Sequence, residues 1–210
     1  MLSSYIDGSQ IYGIDSSRSQ QLRSFTKGQL KTSTGVQSTS MGLTNKPYLP
    51  LSTDTCSSSD ATSQRPCFLA GEYRTSENLD LVSMHTLFNR EHNRIALQLA
   101  TINPSWSDDK LYNETRRIVV ALYQHIVFND WLPVITGDNS LKPLTTRAYY
   151  SGYDSSINPA ISSEFATAAF RFGHSLIPHR INRYDVNQVK DTSKSINFTD
   201  VVFRSNPAYE

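Results

Sequence analysis

The chain has 210 residues, 38% of them hydrophobic and 19% charged, a balance that suits one ordinary globular domain with a sizeable core and excludes a disordered chain. Its 20 basic residues are nearly cancelled by 19 acidic ones, leaving a formal net charge of +1, so nucleic acid and an anionic membrane surface find no electrostatic footprint. No run approaches the roughly eighteen apolar residues of a membrane span, and MLSSYIDGSQ at the N-terminus lacks the basic and apolar regions of a signal peptide, which taken alone points to the cytosol.

In SSYIDGSQIYG the oxygen-bearing residues Ser3, Tyr5, Asp7 and Ser9 recur at period two, so an extended segment would turn all four to one side. A hard cation such as calcium could use that face, but it takes roughly six to eight oxygens, and a polar-faced strand or loop is the plain alternative. A short helix is predicted from Asp15, its cap, with Leu22 as its anchor. A surface loop rich in Ser, Thr, Gly and Gln then runs to Asn45 and ends at Pro47 and Pro50. Cys56 and Cys67 lie in a polar, Ser-rich stretch, where they could close a short disulfide loop or stay as thiols.

The stretch 71–100, GEYRTSENLDLVSMHTLFNREHNRIALQLA, reads as the organising helix. Leu81, Met84, Phe88, Ile95 and Leu99 recur at helical spacing, and the same period brings Glu91 and His92 to their side, where charged groups need partners. Arg74 and Glu77 are three apart, near enough to serve one site if the helix has begun there, although structural ion-pair networks bury charge in the same way.

Asn103 and Pro104 mark a turn, and Ser107 followed by Asp108 and Asp109 predicts a second helix with an oxygen cap and acids at its positive end. Leu111, Ile118, Leu122 and Ile126 form its expected core stripe to about Phe128, with His125 as a hydrogen-bonded packing residue, and Trp131, Leu132, Val134 and Ile135 continue the core after a break at Pro133. Asn158 and Pro159 predict a third helix running to about His174, with Phe170, His174 and Ile177 on one side and Arg171 a turn earlier. A histidine on an apolar face is ordinarily a satisfied core residue; it is also the usual axial ligand of haem iron in peroxidases. The segment after Arg180 is polar, and INFTDVVF reads as a strand or a loop.

The run FLAGEYRTSENLDLVSMHTLFNREHNRIA closely resembles the animal haem peroxidase family, and SSYIDGSQIYG, RPCFLAG and FRFGHSLI extend the resemblance from Leu2 to about Asp185. The resemblance implies a mainly α fold with long irregular loops, residues 1–210 forming part of a peroxidase domain with the central helix and the His174 helix on opposite sides of a haem. It implies haem b and calcium as cofactors, and hydrogen-peroxide-driven oxidation of a small phenolic or halide donor. By the same resemblance Arg74 matches the distal arginine, Glu77 the carboxylate that forms an ester to a haem methyl, His174 the proximal ligand and Arg171 a propionate partner. Ser3, Tyr5, Asp7 and Ser9 match calcium ligands, Tyr5 through its backbone carbonyl, and Cys56 and Cys67 match a family disulfide.

Asn78 departs from the pattern, standing where a member of the family has a methionine bonded to a haem vinyl, so that link cannot form and easy chloride oxidation is not expected. The family's distal histidine, a calcium-binding aspartate and a second ester-forming aspartate belong upstream of Leu2, and the asparagine that orients the proximal histidine belongs beyond Glu210. The expectation is an incomplete chain of a secreted parent whose signal peptide lies upstream, consistent with sequons at Asn113 and Asn197. The rival reading is a non-catalytic, peroxidase-like extracellular adhesion or matrix module in which the helices survive as scaffold.

Overall fold

The computed structural model describes residues 2–33, 46–52, 67–137, 151–185 and 187–202. The fold is mainly helical: α1 (Ser9–Tyr12), α2 (Ser16–Leu22), α3 (Leu79–Ile102), α4 (Asp108–His125), α5 (Leu132–Thr136) and α6 (Ser163–Thr167). Short 3₁₀ segments cover Tyr73–Ser76, Ala169–Leu176 and Phe198–Asp200, and β1 (Arg180–Tyr184) pairs antiparallel with β2 (Lys190–Asn197).

Local chemistry sets the helix starts. Asp15 accepts the Arg18 N–H at 2.7 Å and Ser107 that of Lys110 at 3.3 Å, as the sequence leads one to expect, and Asn78 caps α3 by accepting the Leu81 N–H at 3.0 Å. Pro133 does not break the second helix. A π-helical turn over Ile126–Trp131 leads straight into α5 with Pro133 in its first turn, so the helical run continues through the proline. The helical run 108–136 therefore spans 29 residues and is long and apolar enough, by length and composition alone, to cross a membrane, which a search for an unbroken apolar run does not register.

The third helix differs more. Asn158 turns its side chain to the Ala160 N–H at 3.0 Å, and the helix begins five residues later at the Ser162 cap. It ends at Thr167, and His174 sits in the 3₁₀ segment that follows.

The main core joins Ile11 and Tyr12 of α1, Leu22 and Leu30, Ile95 of α3, and Tyr112 and Val119 of α4. On α3 the buried residues are Leu79, Val82, His85, Thr86, Asn89, His92, Ile95 and Ala96, whereas Met84 of the expected stripe is 52% exposed. The reason is what α3 packs against. Its inward face meets irregular backbone, whose buried N–H and C=O groups need polar partners. Asn93 accepts the Leu30 N–H at 2.7 Å and returns a bond to its carbonyl at 3.0 Å; Asn89 donates to the Lys31 carbonyl, and His92 Nε2 to that of Gly28 at 2.9 Å. Since that carbonyl only accepts, Nε2 carries the ring proton, and Nδ1 accepts from the Tyr12 hydroxyl at 2.9 Å. Glu91 is not beside His92 in the seam; it pairs with Arg94 at 2.6 Å on the surface.

On α4 the buried residues are Leu111, Tyr112, Thr115 and Val119, so the expected stripe is rotated, with Ile118, Leu122 and Ile126 about 40% exposed. Arg23 bridges Asp108 at 2.7 Å and Asp109, and its guanidinium lies 4.3 Å over the Tyr112 ring. Gly28 (φ 70°) fits beneath α4 only without a side chain, because a Cβ would lie 2.6 Å from the Tyr112 nitrogen.

Candidate active site

Arg74 stands in a single 3₁₀ turn between an extended segment and α3. Hydroxyls tie that turn down: Thr75 Oγ1, fully buried, donates to the Glu72 carbonyl at 2.7 Å, and Ser76 Oγ accepts the Phe68 N–H at 3.0 Å. Residues three apart eclipse in a 3₁₀ turn, so Arg74 and Glu77 rise from the same side of it, as their spacing suggests. The partner of Arg74, however, is Glu72. Arg74 Nε donates to Glu72 Oε2 at 2.7 Å, and Nη2 lies 2.6 Å from the same oxygen.

The Glu72 side chain is only 8% exposed, and its other oxygen, Oε1, lies 3.4 Å from Nε2 of His85, itself 5% exposed on α3. Burial pushes the Glu72 carboxyl up, but the approach of His85 and the hydrogen bond and charge of Arg74 outweigh it, so the group lies below the ordinary carboxylate range and stays ionised at neutral pH. Neither Glu72 nor His85 is singled out by the sequence. The signal was present: a carboxylate two residues before an arginine in an extended segment, and a histidine one helical turn along α3 from Leu81.

Glu77 is half-buried, and its N–H donates to the Arg74 carbonyl at 2.9 Å. Asn78 is spent on capping α3.

His174 and Arg171 lie exposed in the 3₁₀ segment Ala169–Leu176, and the His174 ring makes no hydrogen bond among the described residues. Phe170 meets Trp131 edge to face at 6.3 Å and stacks with Phe165 at 5.3 Å, which ties this segment to the end of the π-helical turn. The segment thus continues from α6 as 3₁₀ backbone rather than completing one long helix from Asn158.

Residues 3–9 are not an extended strand. Ser9 opens α1 and accepts the Ser3 N–H at 3.2 Å, Asp7 Oδ1 accepts the Ser9 N–H at 2.9 Å, and Tyr5 N–H donates to Ser3 Oγ at 3.1 Å. The four oxygen-bearing residues are gathered by a loop that closes on itself. Among the described residues no three His, Cys, Asp or Glu side chains cluster as a metal would require. Cys67 is buried and is not a free thiol, while Cys56 lies outside the described residues. Asn113 is exposed on α4, though Thr115 of its sequon is buried with its hydroxyl on the Leu111 carbonyl; Asn197 is exposed at the end of β2.

The His174 imidazole, without a hydrogen bond among the described residues, the exposed Arg74 guanidinium and the half-buried Glu77 carboxylate are residue types suited to an iron porphyrin: a ring nitrogen for the metal, cations for propionates and developing negative charge, and a carboxylate for the ring edge. The residues present fit that group.

The family model for animal haem peroxidase matches residues 1–210. The chain is 44% identical over 189 residues to the peroxidasin homologue of Mus musculus, covering 89% of this chain and 12% of that protein. It is 40% identical over 193 residues to the myeloperoxidase of Mus musculus, covering 91% of this chain and 26% of that one. Among solved structures, peroxidase A from Dictyostelium discoideum superposes with a TM-score of 0.76 at 29% identity, over 97% of this chain and 36% of that chain. A fatty acid α-dioxygenase of Arabidopsis thaliana shares the fold alone, with a TM-score of 0.63 at 19% identity over 97% of this chain and 33% of its own.

Proposed function

The chain belongs to the animal haem peroxidase family, and on that premise we propose that the protein carrying these residues is a haem-dependent peroxidase that uses hydrogen peroxide to oxidise a small phenolic or halide donor. What supports the reading is the match of the family model to residues 1–210, together with Arg74, Glu77 and His174 in segments that resemble the family's motifs and with the Arg74 guanidinium on a buried carboxylate. A scaffold with no chemistry to perform has no use for that trio. Because the chain spans 12% of the peroxidasin relative and 26% of the myeloperoxidase, the activity of the whole protein is part of the proposal.

The haem, when bound, would supply the redox centre for reducing peroxide: two phenolic donors would each give up one electron and one proton, with two waters released, or one halide ion would give up two electrons to leave as hypohalous acid, with one water released. His174 would hold the iron through a ring nitrogen, and Arg171 would pair with a propionate. Arg74 offers a planar, permanently charged fork for the negative charge that develops on the departing oxygen, a task lysine serves less well because it can lose its proton. Glu77 would become an ester to a ring methyl, the new C–O bond replacing a methyl C–H bond, with one hydrogen peroxide as the two-electron oxidant and two waters released. The base that takes the peroxide proton and the asparagine behind His174 are supplied by segments flanking these residues. Ser3, Tyr5, Asp7 and Ser9 contribute to a calcium site completed by a flanking aspartate, and a Cys56–Cys67 bridge and glycans at Asn113 and Asn197 accompany secretion.

The ester assignment is tested by acid-solvent extraction. In the haem-loaded protein with its flanking domain segments, peroxide treatment is expected to leave haem that resists extraction from the wild type, and Glu77→Gln is expected to weaken that retention, because an amide cannot form that ester. Equal extraction from both proteins contradicts the assignment.

A further inference from the structure

We propose that Glu72 and His85 are positioning residues for Arg74: the buried Glu72 carboxylate, braced by His85 from α3, holds the guanidinium in one orientation with its outer N–H groups free for a peroxide oxygen. The inference rests on the reading of Arg74 as the fixed positive group of the site.

A three-carbon stem gives arginine many rotamers, and a side chain 43% exposed on a single turn would ordinarily sample them. Charge stabilisation in a transition state requires the opposite, a donor already aimed before charge develops. An exposed pair between residues two apart would contribute little to that. Here the acceptor differs from a surface carboxylate in three respects. Glu72 is nearly buried, so no solvent shell competes for its oxygens. Its Oε2 accepts the Arg74 Nε–H, with Nη2 2.6 Å from the same oxygen, so that edge of the guanidinium faces the carboxylate. Its Oε1 faces His85, and the His85 ring is walled by Ile11, Leu30 and Leu69 around a space of about 10 Å³, room for no more than about one water.

The fork geometry has a directional consequence. The Nε–H is spent on Glu72 and Nη2 lies close to the same oxygen, so the two Nη1 donors stand on the far side of the fork. Those are the donors left for a ligand. The backbone supports the same arrangement, because Thr75 ties the turn to the Glu72 carbonyl and so locks the two residues' relative positions. His85 links the arrangement to α3, so that the helix and not only the turn sets where Arg74 sits.

The test reads Arg74 directly. Its Nε–H signal in ¹⁵N–¹H NMR, identified by its loss in Arg74→Lys, is expected to be sharp and protected from water exchange in the wild type. It is expected to stay so in His85→Gln, whose amide can still donate to Glu72, and to vanish into exchange in Glu72→Ala and in His85→Leu. A purely structural histidine would show Gln and Leu variants alike. In the haem-loaded protein Glu72→Ala is expected to slow the reaction with peroxide about 10- to 100-fold while the KM for a phenolic donor holds. A folded Glu72→Ala that keeps a protected Nε–H overturns the clamp; should that variant fail to fold, equal protection in His85→Gln and His85→Leu overturns it instead. If the clamp variants lose protection but Arg74→Ala reacts with peroxide as fast as the wild type, the reading of Arg74 fails and the clamp stands.

Discussion

The Tyr12–His92 pair ties an N-terminal helix, the turn at Gly28 and α3 into one core, and it does so with a neutral imidazole. Burial pushes His92 down to about 4, only partly offset by the Gly28 carbonyl, with Arg23 adding to the fall. In the unfolded chain the same ring takes a proton near its ordinary value of about 6.5. Between those values the unfolded state binds the extra proton, so this contribution is fully present above about pH 6.5 and is lost as pH falls towards 4. The expected loss is about 3 kcal/mol across that window, read as a falling free energy of unfolding in urea. His92→Gln should flatten that slope, and an unchanged slope contradicts the assignment. Tyr12→Phe strands the Nδ1 acceptor in the core and is expected to lower stability at pH 7 by about 1–3 kcal/mol.

Among the elements, the turn that carries Arg74 and Glu77 depends on how closely the preceding segment lies on α1. A Cβ at Gly71 would stand 2.5 Å from the Gly13 nitrogen, and backbone cannot yield as a side-chain tip can. Gly71→Ala is therefore expected to reduce stability by about 1–3 kcal/mol in denaturant titrations; a neutral result contradicts the close packing of this segment. Asn78 trades one role for another. Its side chain caps α3, so Asn78→Met, which restores the residue of a relative, is expected to cost about 1 kcal/mol of stability, and no loss would mean the cap is idle. Helix starts at Asp15 and Ser107 were legible because a cap acts within three residues. The buried side of α3 was legible only in part: Phe88, Ile95, Leu99 and His92 do pack in the core, but apolar periodicity could not show that Asn89, His92 and Asn93 also meet loop carbonyls and N–H groups there. For the same reason Glu72 stayed hidden: its importance lies in His85, thirteen residues later in sequence and 3.4 Å away in space. The 3₁₀ backbone at His174 was hidden too, since Asn158 and Pro159 imitate a helix start that Ser162 in fact provides.

At the scale of the whole molecule, apolar side chains stand open on α4 and α5, where Val134 is 81% exposed, and around His174, where Leu176 is 71% exposed. Surfaces of this kind mark places where other protein packs. The 210 residues alone are accordingly expected to bind a hydrophobic dye and to self-associate at micromolar concentration, as sedimentation would show; a dye-free monomer contradicts this. The central claim is that Arg74 and His174 belong to one peroxidase site that these residues form only together with flanking domain segments. It is tested by reconstituting with haem both this chain and a version extended at each end, then following hydrogen-peroxide-dependent oxidation of a phenolic dye beside free haem. The account predicts turnover well above free haem for the extended protein, abolished by His174→Ala and lowered roughly 100-fold or more by Arg74→Ala, with this chain alone no better than free haem. Full turnover by the isolated chain, or an extended protein indifferent to both substitutions, would contradict it.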